Sequence, residues 1–165
     1  TQGVSSAASD VYKRQSIIDK NMFLIICFGV LIICVNVILQ STVTVYSLKY
    51  LHKYNLKKQR LTFSEVLWQM AISVSFLTLL HGAQCTIWAA TFYFNPNIDN
   101  LYSFQEAIYF SLITFTTVGY GDVVIDSEWK IMAGLEAING IMMVGWSTAL
   151  MFSYLQIILK KNITQ

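Results

Sequence analysis

Charge is scarce in this chain. Only 12% of its 165 residues are Asp, Glu, Lys or Arg, about half the 25% usual in soluble domains. With 55% of residues hydrophobic, that composition points to lipid as the solvent. A net charge of +2 leaves no polybasic face, so no nucleic-acid partner is expected. Three cysteines, Cys27, Cys34 and Cys85, all lie inside apolar runs, with no Cys-x-x-Cys pair and no histidines at metal-ligand spacing. They read as small membrane-embedded hydrophobes, which excludes a disulfide framework and a metal centre built on thiolates. The chain has no soluble domain, nucleotide-binding loop or catalytic cluster, so no enzyme is expected.

What is present is a set of long apolar runs. Met22 to Leu48 carries no charged residue and exceeds the roughly 20 residues that span a hydrocarbon core. It is too long for a signal-peptide core and lacks a small-residue cleavage site, so it predicts a first transmembrane helix. Val66 to Phe94 is a second uncharged run apart from His81, ending in Trp88, Phe92, Tyr93 and Phe94, which read as an interfacial aromatic belt. Asn95-Pro96-Asn97 stops it, because proline disfavours a helical residue before it. Ile131 to Leu159 is the third span.

Between these runs the charges are polarised. Lys49, Lys53, Lys57, Lys58 and Arg60 crowd the first connection, and Lys160-Lys161 follow the third span. Short basic loops stay in the cytoplasm. Asp99, Glu106, Asp122, Asp126 and Glu128 fall on the other side, so the expected topology is N-terminus out and C-terminus in. The expected division is 16–62 for the first helix with its basic loop and 63–162 for the remainder. Residues 1–15 stand apart. Asp10-Val11-Tyr12-Lys13-Arg14-Gln15 back-translates as GATGTGTATAAGAGACAG, which resembles the mosaic end of a transposase-based sequencing adaptor. The segment is read as a non-native artefact, or else as a disordered tail, and is set aside.

Ser103 to Phe115 is apolar but too short to cross a membrane, the length of a re-entrant helix. Ser103 with Glu106 three residues on predicts a capping box. This helix runs directly into Thr116-Thr117-Val118-Gly119-Tyr120-Gly121-Asp122. Gly119 and Gly121 can take positive φ at no steric cost. Alternating in that way, an extended segment can aim successive carbonyls the same way. Copies around an axis would then stack rings of oxygen that replace the water shell of a cation.

Thr117 to Asp122 resembles the selectivity filter of potassium channels at all six positions. Six fixed residues recur by chance about once in 10⁷–10⁸ positions at average usage. The resemblance covers about Val66 to Leu159. Leu135-Glu136-Ala137-Ile138-Asn139-Gly140 and Gly145-Trp146-Ser147-Thr148-Ala149 resemble the inner helix of small bacterial pore-loop proteins with one extra N-terminal span, often labelled two-pore-type although they carry one pore. His81, Trp88 and Ala89 match that family's outer helix; many members carry an acid where this chain has Gln84. The resemblance implies an all-α membrane protein with three transmembrane helices, a re-entrant pore helix and a filter loop, assembled as a homotetramer. It also implies potassium bound at Thr117, Val118, Gly119, Tyr120 and Gly121, with no other cofactor. Membrane lipids and an unidentified gating partner complete the expected environment. The first span lacks the repeated arginines of a voltage sensor.

In that reading Val118 and Tyr120 point away from the axis and pack on the re-entrant helix, and Thr116 supports the filter. Asp122 either concentrates cations at the outer mouth or accepts a hydrogen bond from behind the filter. Some relatives pair this aspartate with a glutamate four residues before the filter threonine, where Ile113 stands here, so another brace is needed. Glu136 is the only acid within a span, and ionisable residues there usually act. It braces the filter from behind, faces the pore, or makes an interhelical hydrogen bond; Gln84 is at a depth to meet it. His81 is either a pH sensor or a neutral residue bonded across helices, with Asn36 a candidate partner. Gly140 and Gly145 are gating hinges, or small residues for close packing together with Ala133 and Ala137.

The leading function is therefore a passive potassium-selective channel. A weakly selective cation channel is disfavoured by the intact Tyr120-Gly121 pair, and a non-conducting subunit by the intact filter. A subunit of an active potassium transporter is disfavoured too, since such pore loops mostly keep one glycine. Ion selectivity of flux separates these readings.

Overall fold

The computed structural model describes residues 2–57 and 62–163, with side chains over 21–53 and 62–158. Four helices follow in order: α1 (Gln2–Lys57), α2 (Phe63–Tyr93), α3 (Phe104–Phe115) and α4 (Lys130–Ile163). Among the described residues there is no strand. Asn21–Lys53, Phe63–Tyr93 and Lys130–Ile158 are long and apolar enough to cross a membrane. The protein is thus an all-α, multi-pass membrane protein. The side chains of residues 1–15, and of Lys57, Lys58, Arg60, Lys160 and Lys161, lie outside the described set.

Local chemistry sets the helix ends. The Thr62 N–H donates to Glu65 Oε2 at 3.1 Å, a capping bond at the start of α2 that the sequence reading had not singled out. At its other end Phe94 N–H donates to Ala90 O and the Asn95 side chain accepts from Asn97 N–H, turning the chain around Pro96. Ser103 Oγ accepts from Glu106 N–H at 3.1 Å as expected. The return bond differs: Glu106 Oε2 accepts from Tyr102 N–H at 2.9 Å, one residue before the cap.

The core sits around α3. Trp88 stacks on Phe92, and Phe92 meets Phe110 of α3 edge to face at 5.3 Å. Trp88 and Phe92 are fully buried, so they are not interfacial; only Tyr93 and Phe94 are exposed there. The reason is that α3 covers the C-terminal end of α2 on the face that carries Trp88, Ala89 and Phe92. Burying such rings stabilises the packing of a helix too short to hold itself. A smaller cluster of Leu51, Leu77, Leu150 and Tyr154 joins α1, α2 and α4 near their other ends.

Helix α1 lies mainly along α4, with Gly29 opposite Leu135 and Gln40 opposite Ser147, so the two run parallel. On the other side of α4, Gly140 meets the end of α3. A Cβ there would lie 1.9 Å from the Phe115 carbonyl oxygen and 2.7 Å from its carbon. This close approach of two backbones accounts for Gly140 by packing. Gly145 and Gly134 face open space.

Gly140→Ala must push α3 off α4 and should destabilise the fold by about 1–3 kcal/mol, the usual cost of overpacking. Gly134→Ala should be neutral or stabilising by up to about 1 kcal/mol from helix propensity. Thermal unfolding in detergent checks both; equal stability of the two variants would contradict the packing.

Candidate functional site

The last turn of α3 feeds straight into the glycine motif, and its carbonyls are used to hold that motif. Thr116 N–H donates to Leu112 O, Thr117 N–H to Thr114 O at 2.9 Å, and Gly119 N–H to Ile113 O at 3.0 Å. Thr116 is the C-cap and Thr117 the residue after it, with φ 59°. That is the left-handed position in which many helices end, usually with glycine. A threonine there costs about 1–2 kcal/mol, and its helix-ending bond to Thr114 offsets part of that.

Gly119 and Gly121 also have positive φ, at 50° and 77°, while Val118 and Tyr120 do not. The hand of the backbone therefore alternates over five consecutive residues, Thr117 to Gly121. Alternation of this kind turns successive peptide planes the same way, so carbonyls that would point to opposite sides of a strand line one side. The sequence had identified the two glycines but not Thr117, whose conformation comes from ending the helix.

Residues 116–122 are all exposed in the single chain. Val118 is 52% and Tyr120 73% exposed. Their expected packing on the re-entrant helix is thus not made within one chain, because α3 already spends its opposite face on α2 and α4. Asp122 accepts a hydrogen bond from Tyr109 Oη at 2.7 Å. This is a brace on the end of the glycine motif, supplied by α3 itself. Tyr109 and Ile113 are one helical turn apart, so the tyrosine stands a turn from the position where some relatives carry the glutamate. The Tyr109 bond holds the Asp122 carboxyl below the usual carboxylate range, and the same carboxylate raises the Tyr109 phenol.

Behind α3, Glu136 is fully buried. Its Oε1 lies within hydrogen-bond reach of Ser111 Oγ on α3, and Ser111 Oγ donates to the Cys85 carbonyl of α2 at 2.8 Å. One hydroxyl thus joins α2, α3 and α4. Gln84 does not bond Glu136: its amide faces α1, reaching the Asn36 carbonyl at 3.3 Å and Gln40 Oε1 at 3.4 Å. His81 bonds Gln84 and Ser147, not the Asn36 side chain. Serine and glutamine at these places were legible only as polar residues in apolar runs; their partners lie 25 to 107 residues away.

Among the described residues no group of His, Cys, Asp and Glu could hold a metal. A cavity of about 820 Å³ opens between α1, α2 and α4 near Tyr50, Trp68 and Tyr154, away from the glycine motif.

Residues 81–157 match the family model described as "Ion channel". Over 53 residues, 30% of the chain, the sequence is 47% identical to a protein of Methanocaldococcus jannaschii named "Hyperpolarization-activated voltage-gated potassium channel". The match covers 24% of that relative, so this chain corresponds to about a quarter of its length. No solved structure matches.

The depressed Asp122 group gives a signed expectation. Its bond to Tyr109 contributes stability that is complete above the ordinary carboxylate range and is lost as pH falls through the lowered value. Tyr109→Phe should raise the Asp122 titration, followed by NMR, toward the ordinary range and reduce that acid sensitivity. An unchanged titration would contradict the brace. Behind α3, Glu136→Leu leaves Ser111 with the Cys85 carbonyl alone and breaks the link to α4, and should destabilise by about 1–3 kcal/mol. Glu136→Gln keeps a polar group that can donate to Ser111 Oγ and should cost less, which thermal unfolding would show.

Proposed function

We propose that this chain, a member of the pore-loop potassium channel superfamily, forms a homotetramer that passes potassium ions passively through Thr117-Val118-Gly119-Tyr120-Gly121. The observation that carries the reading is the alternation of backbone hand across these five residues. It gives one chain a file of carbonyl oxygens on one side; four chains about an axis turn that file into rings. Such rings replace the hydration shell of a cation, and several adjacent sites let ions displace one another.

Two further observations support assembly. The filter is exposed in the single chain, whereas irregular backbone at membrane depth must be buried in protein or line water. Leu112, Val118, Tyr120, Ile138, Ile141 and Met142 are also exposed beside it or on α4. A closed ring of four copies would cover the outward side chains and leave the carbonyls facing water. The basic connection near Lys49 and Lys53 supports a cytoplasmic position for that end, with the N-terminus and filter mouth outside. Residues 63–162 make the pore unit and 16–62 the added helix and loop. Membrane lipid, the helices or a separate protein supplies the gating.

Reconstituted in liposomes with internal potassium and external sodium, the chain should show potassium-driven flux that barium blocks. Gly119→Ala places a side chain at φ 50°, which costs about 1–2 kcal/mol in each of four chains, and should lower that flux at least about 100-fold. Equal sodium and potassium flux would favour a weakly selective cation channel. No flux from a folded tetramer would favour a non-conducting subunit.

A further inference from the structure

Four polar side chains from three helices meet at the base of the filter. Gln40 of α1, Gln84 of α2 and Ser147 of α4 are buried, and His81 of α2 is half-buried beside them. Their distances close a loop: Gln40 Nε2 to Ser147 Oγ 3.0 Å, Ser147 Oγ to His81 Nε2 2.9 Å, His81 Nδ1 to Gln84 Oε1 2.9 Å, and Gln84 Nε2 to Gln40 Oε1 3.4 Å.

One backbone carbonyl sets every hydrogen in the loop. Asn36 O can only accept, and Gln84 Nε2 lies 3.3 Å from it, so the amide nitrogen of Gln84 faces α1. Its oxygen then faces His81 Nδ1, and because an amide oxygen only accepts, Nδ1 carries the ring hydrogen. In the neutral imidazole Nε2 is bare and accepts, so the Ser147 hydroxyl must donate to it. Ser147 Oγ in turn accepts from Gln40 Nε2, and Gln40 Oε1 accepts from Gln84. Each member donates to the next in one direction, with no donor or acceptor of the loop opposed.

The loop lies against the filter's support. The His81 ring is 6.0 Å from the Phe115 ring, tilted by 46°. Phe115 is buried, is the last residue of α3, and presents its carbonyl to Gly140. Thr116 and Thr117 follow it. We infer that Gln40, Ser147, His81 and Gln84 form a closed one-way hydrogen-bond ring through which the first helix positions Phe115 and the base of the filter. These are positioning residues, acting on the ion path through Phe115. The ring gives α1 a task beyond crossing the membrane: it supplies one of the four members. The effect on conduction rests on the filter reading above; the ring and its effect on Phe115 do not.

The experiment uses the full chain in lipid bilayers with His52→Gln, which leaves His81 as the one imidazole of the two in the sequence. Nitrogen-15 NMR should report His81 protonated at Nδ1 and bare at Nε2; the opposite tautomer would overturn the ring. Ser147→Ala should move the resonances of labelled Phe115, Thr116 and Thr117, and Ser147→Thr, which keeps the hydroxyl, should restore them. Gln40→Met, of similar size, should move the same resonances from the α1 side, and serves if Ser147→Ala does not fold. Resonances unmoved by the variants that fold would overturn the coupling even if stability falls. In flux, Ser147→Ala and Gln40→Met should shift the conducting fraction about 5–100-fold, the factor that goes with one buried polar group left unpaired. If the wild type passes no ions, the proposed function falls and the resonances still decide the ring.

Discussion

Backbone that is neither helix nor strand can sit at membrane depth only if its polar groups are met by protein or water, and the arrangement of this chain follows from meeting that condition at one place. The C-terminal carbonyls of α3 take the N–H groups of Thr116, Thr117 and Gly119. The positive φ at Thr117, Gly119 and Gly121, alternating with Val118 and Tyr120, is the backbone pattern that can turn the remaining carbonyls one way. A twelve-residue helix cannot hold such a segment alone. It is wedged between α2 and α4 by Phe92, Phe110 and the Gly140–Phe115 contact.

Polar residues in the spans share the same logic. Gln40, Gln84, Glu136 and Ser147 are buried between helices, whereas Thr42, Thr78, Thr86 and Thr148 are exposed and donate their hydroxyls to carbonyls of their own helices. Ser111 ties α3 to the Cys85 carbonyl and to Glu136, and Tyr109 ties it to Asp122. His81, Gln84, Gln40 and Ser147 lie under its final residue. Helix α3 is thus fixed by polar contacts at three levels. Hydrogen bonds between spans contribute only about 0.6–2 kcal/mol each, so their value lies in direction: they fix orientation more than they add stability.

The spans, the short re-entrant helix with its Ser103 cap and the glycine motif were all legible in the sequence, because each rests on local chemistry: length, periodic apolarity, capping and positive φ. Features needing a partner far along the chain were not. Trp88 and Phe92 looked interfacial, since aromatic enrichment at a span's end cannot reveal which face another helix covers. Gly140 read equally as hinge or packing residue until the Phe115 carbonyl was seen against it. Asn36 was paired with His81 by depth alone, whereas its backbone, through Gln84, holds that role. Thr117 escaped because threonine rarely takes the left-handed region, and only its place just after a helix end accounts for it.

The central claim is that four copies of Thr117–Gly121 surround potassium with backbone oxygen. Thallium scatters anomalously and substitutes for potassium, so diffraction from crystals of the reconstituted protein grown in thallium tests it directly. The account predicts a file of anomalous peaks on a four-fold axis, each ringed by carbonyls of Thr117, Val118, Gly119 and Tyr120. Peaks absent from that axis, or an assembly without four-fold symmetry around the glycines, would contradict it.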